Sequence, residues 1–168
     1  IYEVEHVVLG ERRALKTLRS ELHLQPDAVA RIRREWQVLS SVSDPRLVRV
    51  LDAGHTAAFV PYFVLEKVPG IPLRQAPREG SLDPRARLAI ALELLDVLQT
   101  LHAAGWVHRD IKPGNVMCLP DGSIKLLDFG LVKSLRDHDQ ELTRTGVRLG
   151  TPRYMAKEQI EGVVVDAM

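Results

Sequence analysis

The sequence predicts an α+β fold in two parts, a small, mainly β part with one helix followed by a mainly helical part. Three observations predict it. The first part reads as short apolar strands around a single helical pattern. Pro69-Gly70-Ile71-Pro72 then interrupts the chain with residues that suit neither a helix interior nor a central strand. Beyond the interruption, Asp83-Pro84 opens a long helix, with Asp as N-cap and Pro at the first helical position.

Residues 1–8 and 12–18 read as two strands joined at Leu9-Gly10-Glu11 as a hairpin. Pro26-Asp27 starts the first helix, where Pro is tolerated in the first turn. Val29, Ile32, Trp36 and Leu39 follow at helical spacing and are expected to form its apolar face. Ser43-Asp44-Pro45 closes the helix, and Leu47–Leu51 and Tyr62–Val68 read as two further strands. In the second helix, Leu88, Leu92, Leu95 and Leu98 are expected to be the buried stripe, with Gly105 as a left-handed terminator. Two short strands, Asn115–Leu119 and Ile124–Leu127, flank the turn Pro120-Asp121-Gly122-Ser123. From Asp128 onward the chain reads as polar and loop-like.

Apolar residues make up 45% of the 168, enough for a core and against wholesale disorder. With 23 basic and 22 acidic residues the formal net charge is +1, which gives no support to a nucleic-acid or membrane-surface role. Cys118 is the only cysteine, so no internal disulfide can form, and it reads as a small buried hydrophobe in a reducing compartment. The histidines lack metal-ligand spacing. The richest apolar stretch, Leu88–Leu101, carries Glu93 and Asp96 and is too short to span a bilayer. The start is neither a signal peptide nor an initiation sequence, and both ends read as cut within a larger unit.

The informative stretch is His108-Arg109-Asp110-Ile111-Lys112-Pro113-Gly114-Asn115, followed by Asp128-Phe129-Gly130 at the end of a short strand. Two carboxylates and an amide on loops at strand ends suit a metal–nucleotide site, because Mg²⁺ takes hard oxygen ligands and completes its shell with phosphate oxygens. Phosphoryl transfer needs such a metal, an orienting base for the attacking hydroxyl and cations on the phosphates.

In these motifs the chain resembles the eukaryotic-type serine/threonine protein kinases, over essentially its whole length. The resemblance implies a two-lobed kinase-like fold, with residues 1–66 as the N-lobe and 67–168 as the hinge and C-lobe of one partial domain, 1–168. It implies that Asp110 accepts or orients the substrate hydroxyl proton, that Asn115 and Asp128 hold Mg²⁺ or Mn²⁺, and that Lys112 neutralises the γ-phosphate of ATP. Ala14-Leu15-Lys16 resembles the V-A-I-K segment, so Lys16 would contact the α- and β-phosphates. Glu35, nineteen positions on, would be its ion-pair partner. The adenine slot would be Ile1 and Ala14 above and Met117 below, with Leu65 as gatekeeper and backbone groups of Glu66 and Val68 on the purine edge. His108 reads as a structural histidine stacked with Phe129, in a column with Leu39 and Val50, and Gly130 completes the D-F-G triplet.

By the same resemblance, Asp128–Glu158 is an activation segment. Thr143 and Thr145 are its candidate phosphorylation sites, with Arg109 as the cation that would pair with the phosphate. Thr151, in Gly150-Thr151-Pro152, would bond Asp110 and Lys112. The run Tyr154-Met155-Ala156-Lys157-Glu158-Gln159 looks most like bacterial members of the family.

The implied partners are protein substrates bearing Ser or Thr and a second copy of the chain for autophosphorylation, with no nucleic acid and no membrane contact. The implied location is cytoplasmic, in a parent protein open to being anchored through another segment. The chain departs from the family in three ways. The glycine-rich loop is missing before Ile1, Lys157 stands where Pro is usual, and the Arg partner of Glu158 would fall beyond Met168. An isolated fragment of this kind is expected to be marginally stable and weakly active or inactive. Two other readings stay open, a pseudokinase or interaction fragment and a small-molecule phosphotransferase. The docking-like segment Gly150–Glu158 argues against the second.

Overall fold

The computed structural model describes residues 1–17, 26–76, 82–129, 133–134 and 151–161. Its first part is a four-stranded antiparallel sheet in the order β1-β2-β4-β3, from β1 (Tyr2–Glu5), β2 (Arg12–Thr17), β3 (Val50–His55) and β4 (Pro61–Glu66). The hairpin between β1 and β2 forms as expected, with Gly10 at φ +65°, a left-handed conformation that suits glycine. Helix α1 (Pro26–Ser41) lies between β2 and β3 in sequence.

The expected face of α1 needs correction. Glu35, Val38 and Val42, one helical turn apart, are buried, and Leu39 packs beside them. Trp36 is 40% exposed, although its ring stacks on Phe63 at 5.9 Å between centroids. The side chains of Val29 and Ile32 lie outside the described part. A carboxylate thus sits on the buried face, which an apolar count does not anticipate. The strand expected at Leu47–Leu51 is displaced to Val50–His55, because Leu47 and Val48 bond the second part instead. Leu47 bridges Leu126 in parallel, Leu126 donates its N–H to Arg46 O (2.7 Å), and Val48 donates to Leu126 O (3.1 Å).

The second part is built on α2 (Pro84–Ala103). Asp83 caps it, its side chain accepting from the backbone N–H of Ala86 at 2.7 Å, and Pro84 follows the cap. Gly105 terminates it at φ +85° as expected. The buried stripe is Ile90, Val97 and Leu101, with Leu94 and Leu98 partly buried against them. Of the four expected leucines only Leu98 packs on the core, and Leu88, Leu92 and Leu95 are 62%, 53% and 62% exposed. Two apolar stripes run along this helix at the same 3–4 spacing, and periodicity does not choose between them.

Short strands complete the second part. β5 (Ile71–Pro72), β7 (Val116–Cys118) and β8 (Ile124–Leu126) form one sheet, and β6 (Trp106–Val107) pairs with β9 (Lys133–Ser134). Thr151 leads into a 3-10 turn at Pro152–Tyr154 and then α3 (Lys157–Glu161), so the described residues 151–161 carry helical structure where the composition suggests a loop. One continuous apolar core joins the parts: Val38, Phe63 and Leu65 from the first belong to the same buried cluster as Val97, Leu126 and Phe129 from the second. Among the described residues no helix is long and apolar enough to cross a membrane.

Gly70 lies where the chain enters the second part. A Cβ on it would stand 2.3 Å from the backbone oxygen of Cys118 on β7. Gly70→Ala is therefore expected to lower stability by about 1–3 kcal/mol, the scale of an overpacked contact that backbone must move to relieve. A denaturant midpoint unchanged from the parent protein would show that this approach is not tight.

Candidate functional site

The site lies where β2, α1, the loop after β6 and the end of β8 converge. Lys16 on β2 donates from Nζ to Glu35 Oε1 (2.6 Å) and to Asp128 Oδ1 (2.8 Å). The Glu35 side chain is almost wholly buried on α1, Lys16 is mostly buried, and Asp128 is half exposed. Burial acts to lower the Lys16 ammonium, but the charges of Glu35 and Asp128 outweigh it and hold the group above its ordinary value. Burial lifts the Glu35 carboxyl above the usual carboxylate range, opposed in part by the ammonium beside it.

The loop after β6 is wound around Asp110. Lys112 Nζ donates to Asp110 Oδ2 (2.6 Å) and to Thr151 Oγ1 (3.0 Å). Asn115 Nδ2 donates to both the backbone oxygen and Oδ2 of Asp110, each at 2.9 Å. Both bonds of Asn115 run through nitrogen, which leaves its Oδ1 as the atom suited to a hard cation. Leu127 N–H donates to Asn115 O (2.8 Å), which sets Asn115 beside the strand end that carries Asp128. Thr151 reaches Asp110 through Lys112. Among the described residues no three or more His, Cys, Asp or Glu side chains gather as a metal cluster. One carboxylate with one amide is the sparse donor set that Mg²⁺ uses when phosphate oxygens complete its shell.

His108 holds the frame. Its Nδ1 accepts the N–H of Asp110 (3.3 Å), so Nε2 carries the proton and donates to Leu127 O (3.1 Å). The ring lies 5.0 Å from that of Phe129, which is fully buried. Burial pushes the imidazole below its ordinary value. Arg109 and Asp128 take left-handed backbone angles, φ +65° and +60°, which cost a non-glycine residue about 1–3 kcal/mol and persist only where surrounding bonds impose them. The Arg109 guanidinium is partly buried near Arg34, and burial followed by that like charge moves it below its ordinary value.

Around the slot, Leu65 is buried, while Ala14, Val68 and Met117 are partly so and Ile1 is exposed. Leu39 and Val50 pack against the core that includes Phe129. Glu158 is partly buried in the first turn of α3. Thr143, Thr145 and Gly130 lie outside the described residues. Two contacts have no signal in residue spacing. The Glu66 carboxylate accepts from Lys125 Nζ on β8 and from Arg49 N (2.8 Å), tying the end of β4 to the second part. Gln159 on α3 donates from Nε2 to Arg109 O (2.8 Å).

A buried, neutral His108 makes stability depend on pH. The unfolded histidine takes up a proton near its ordinary ~6.5, and the folded one does so only at lower pH. The contribution is complete above ~6.5 and is lost as pH falls from there toward the folded value. Melting temperatures between pH 7 and pH 5 should fall, and fall less steeply in His108→Phe. Equal slopes in the two proteins would contradict a buried neutral ring.

A family model described as "Protein kinase domain" matches residues 1–167. A protein of Streptomyces coelicolor named "Probable serine/threonine-protein kinase" is 39% identical over 99% of this chain and 25% of its own length. The serine/threonine-protein kinase PknB of Mycolicibacterium smegmatis is 35% identical over 92% of this chain and 25% of its own. The same-named protein of Mycobacterium tuberculosis is 34% identical over the same shares. The chain thus spans about a quarter of the length of the curated relatives it matches.

Proposed function

This chain belongs to the protein kinase domain family, and from that premise we propose that it forms the phosphotransfer site of a serine/threonine protein kinase. The observation that carries the proposal is Asp110, whose carboxylate and backbone oxygen are fixed by Lys112 and Asn115 while Lys112 also grips Thr151. The base and the segment that would receive a peptide are thereby joined through one ammonium.

In this reading ATP is the phosphoryl donor and Mg²⁺ or Mn²⁺ the metal, which supplies positive charge to the phosphate oxygens. Asp128 and Asn115 Oδ1 would hold it. Lys16, fixed by Glu35, would hold the α- and β-phosphates. The N–H of Glu66 already donates to Arg49 O (3.0 Å), so the carbonyl of Glu66 is the backbone group left for the purine edge, with Val68 following it. Ile1, Ala14 and Met117 would cover the ring. A Ser or Thr oxygen forms the new bond to the γ-phosphorus, the bond to the β–γ bridging oxygen breaks, and ADP leaves. Asp110 orients the hydroxyl and takes its proton, and Lys112 balances the transferring charge.

The substrates proposed are proteins bearing Ser or Thr, including a second copy of the chain acting on Thr143 or Thr145. A phosphate there would find Arg109 close to the catalytic loop. The 1–66 and 67–168 division would then be the two walls of the nucleotide cleft. The contact between Lys112 and Thr151 favours a peptide substrate over a small molecule.

Labelled ATP with a generic basic protein, measured on the full-length protein, tests this reading. Asp110→Asn is expected to lower kcat by roughly 10²–10⁴, with nucleotide affinity nearly unchanged. An undiminished kcat would remove Asp110 from the reaction.

A further inference from the structure

The structure assigns a further positioning residue, Gln159, which fixes the Arg109–Asp110 peptide unit and so aims the Asp110 carboxylate. The assignment rests on the phosphotransfer reading above. The peptide unit between Arg109 and Asp110 is held at both of its polar ends. Its N–H, on Asp110, donates to His108 Nδ1 (3.3 Å). Its oxygen, on Arg109, accepts from Gln159 Nε2 (2.8 Å). The orientation of the Gln159 amide is fixed by its partners. Its Nε2 faces a carbonyl, which only accepts, and its Oε1 accepts the backbone N–H of Ala156 (3.2 Å), which only donates.

Arg109 sits at φ +65°, which an unconstrained arginine avoids. The peptide plane that follows it would relax if one end were released, and Asp110 rides on that plane. Gln159 therefore does from α3 what His108 does from within the loop. It also joins the segment holding Thr151 to the base by a second route, distinct from the Lys112–Thr151 bond. Because Oε1 closes onto Ala156 just ahead of α3, the same side chain fixes the start of that helix.

Two variants of similar size separate the donor role from packing. Gln159→Met removes both bonds and is expected to lower kcat roughly ten-fold, the scale of one well-made hydrogen bond, with KM for ATP unchanged. Gln159→Glu keeps an acceptor for Ala156 but sets a carboxylate oxygen against the Arg109 carbonyl. Its kcat should be equally low at pH 8 and should recover relative to the parent as pH falls, because the protonated acid regains an O–H donor. The ratio for Gln159→Met should stay flat with pH.

The proposal is overturned by kcat within two-fold of the parent in both variants, or by a Gln159→Glu ratio that does not move with pH. If Gln159→Met fails to fold, the pH dependence of Gln159→Glu alone decides. A parent protein that transfers no phosphoryl group from labelled ATP would defeat the underlying kinase reading. An active parent with indifferent variants defeats only the role of Gln159.

Discussion

One ammonium organises this molecule. Lys16 Nζ lies between Glu35 on α1 and Asp128 at the end of β8, so a strand, a helix and the far part of the chain meet at a single charge. Glu35 is buried to 2% exposure on the inner face of its helix. Breaking this buried pair by removing one partner would cost about 3–5 kcal/mol, so Lys16 favours the rotation of α1 that buries Glu35. The helix then brings Val38 and Val42 into the common core and sets Trp36 over Phe63. The pair serves geometry more than net stability, since the desolvation of two buried ions offsets much of their attraction.

From that point the architecture runs through backbone. Arg46, Leu47 and Val48 bond β8 directly, so the end of α1 cannot shift without moving the strand that delivers Asp128. Leu127 hands its N–H to Asn115 and its oxygen to His108, which sets the loop around Asp110. The Asp110 carboxylate, the Asn115 amide nitrogen and both His108 ring nitrogens all have partners, as a water-poor interior demands. The strained angles at Arg109 and Asp128 are where such bonding shows itself: local preference is overruled at two residues of the candidate site.

The site was far more legible in the sequence than the packing was. Asp110, Lys112, Asn115, Asp128, Lys16 and Glu35 were found through short motifs that resemble those of the kinase family, because such motifs keep their residue types together along the chain. The bond between Lys16 and Glu35 joins the two residues that the family resemblance pairs, whereas the bond between Lys112 and Asp110 had no counterpart in the sequence reading. The buried face of α2 was not legible, because Leu88-Leu92-Leu95 and Ile90-Leu94-Val97 carry the same period and only tertiary contact separates them. The strand at β3 was displaced because Leu47 and Val48, good strand formers, bond a sheet far away in sequence. Lys125 and Gln159 were equally silent, since a polar side chain that reaches 59 or 50 residues away leaves no periodic trace.

In the proposed reading, Lys16, Asp128 and Asn115 form one receptor for a metal-bound triphosphate. A crystal structure of the full-length protein with a non-hydrolysable ATP analogue and Mg²⁺ tests it most directly. Lys16 Nζ is expected within hydrogen-bonding reach of a phosphate oxygen while still paired to Glu35, and the metal is expected on the Asp128 carboxylate and Asn115 Oδ1. A complex in which Lys16 remains closed on Asp128 and the phosphates lie elsewhere would contradict it.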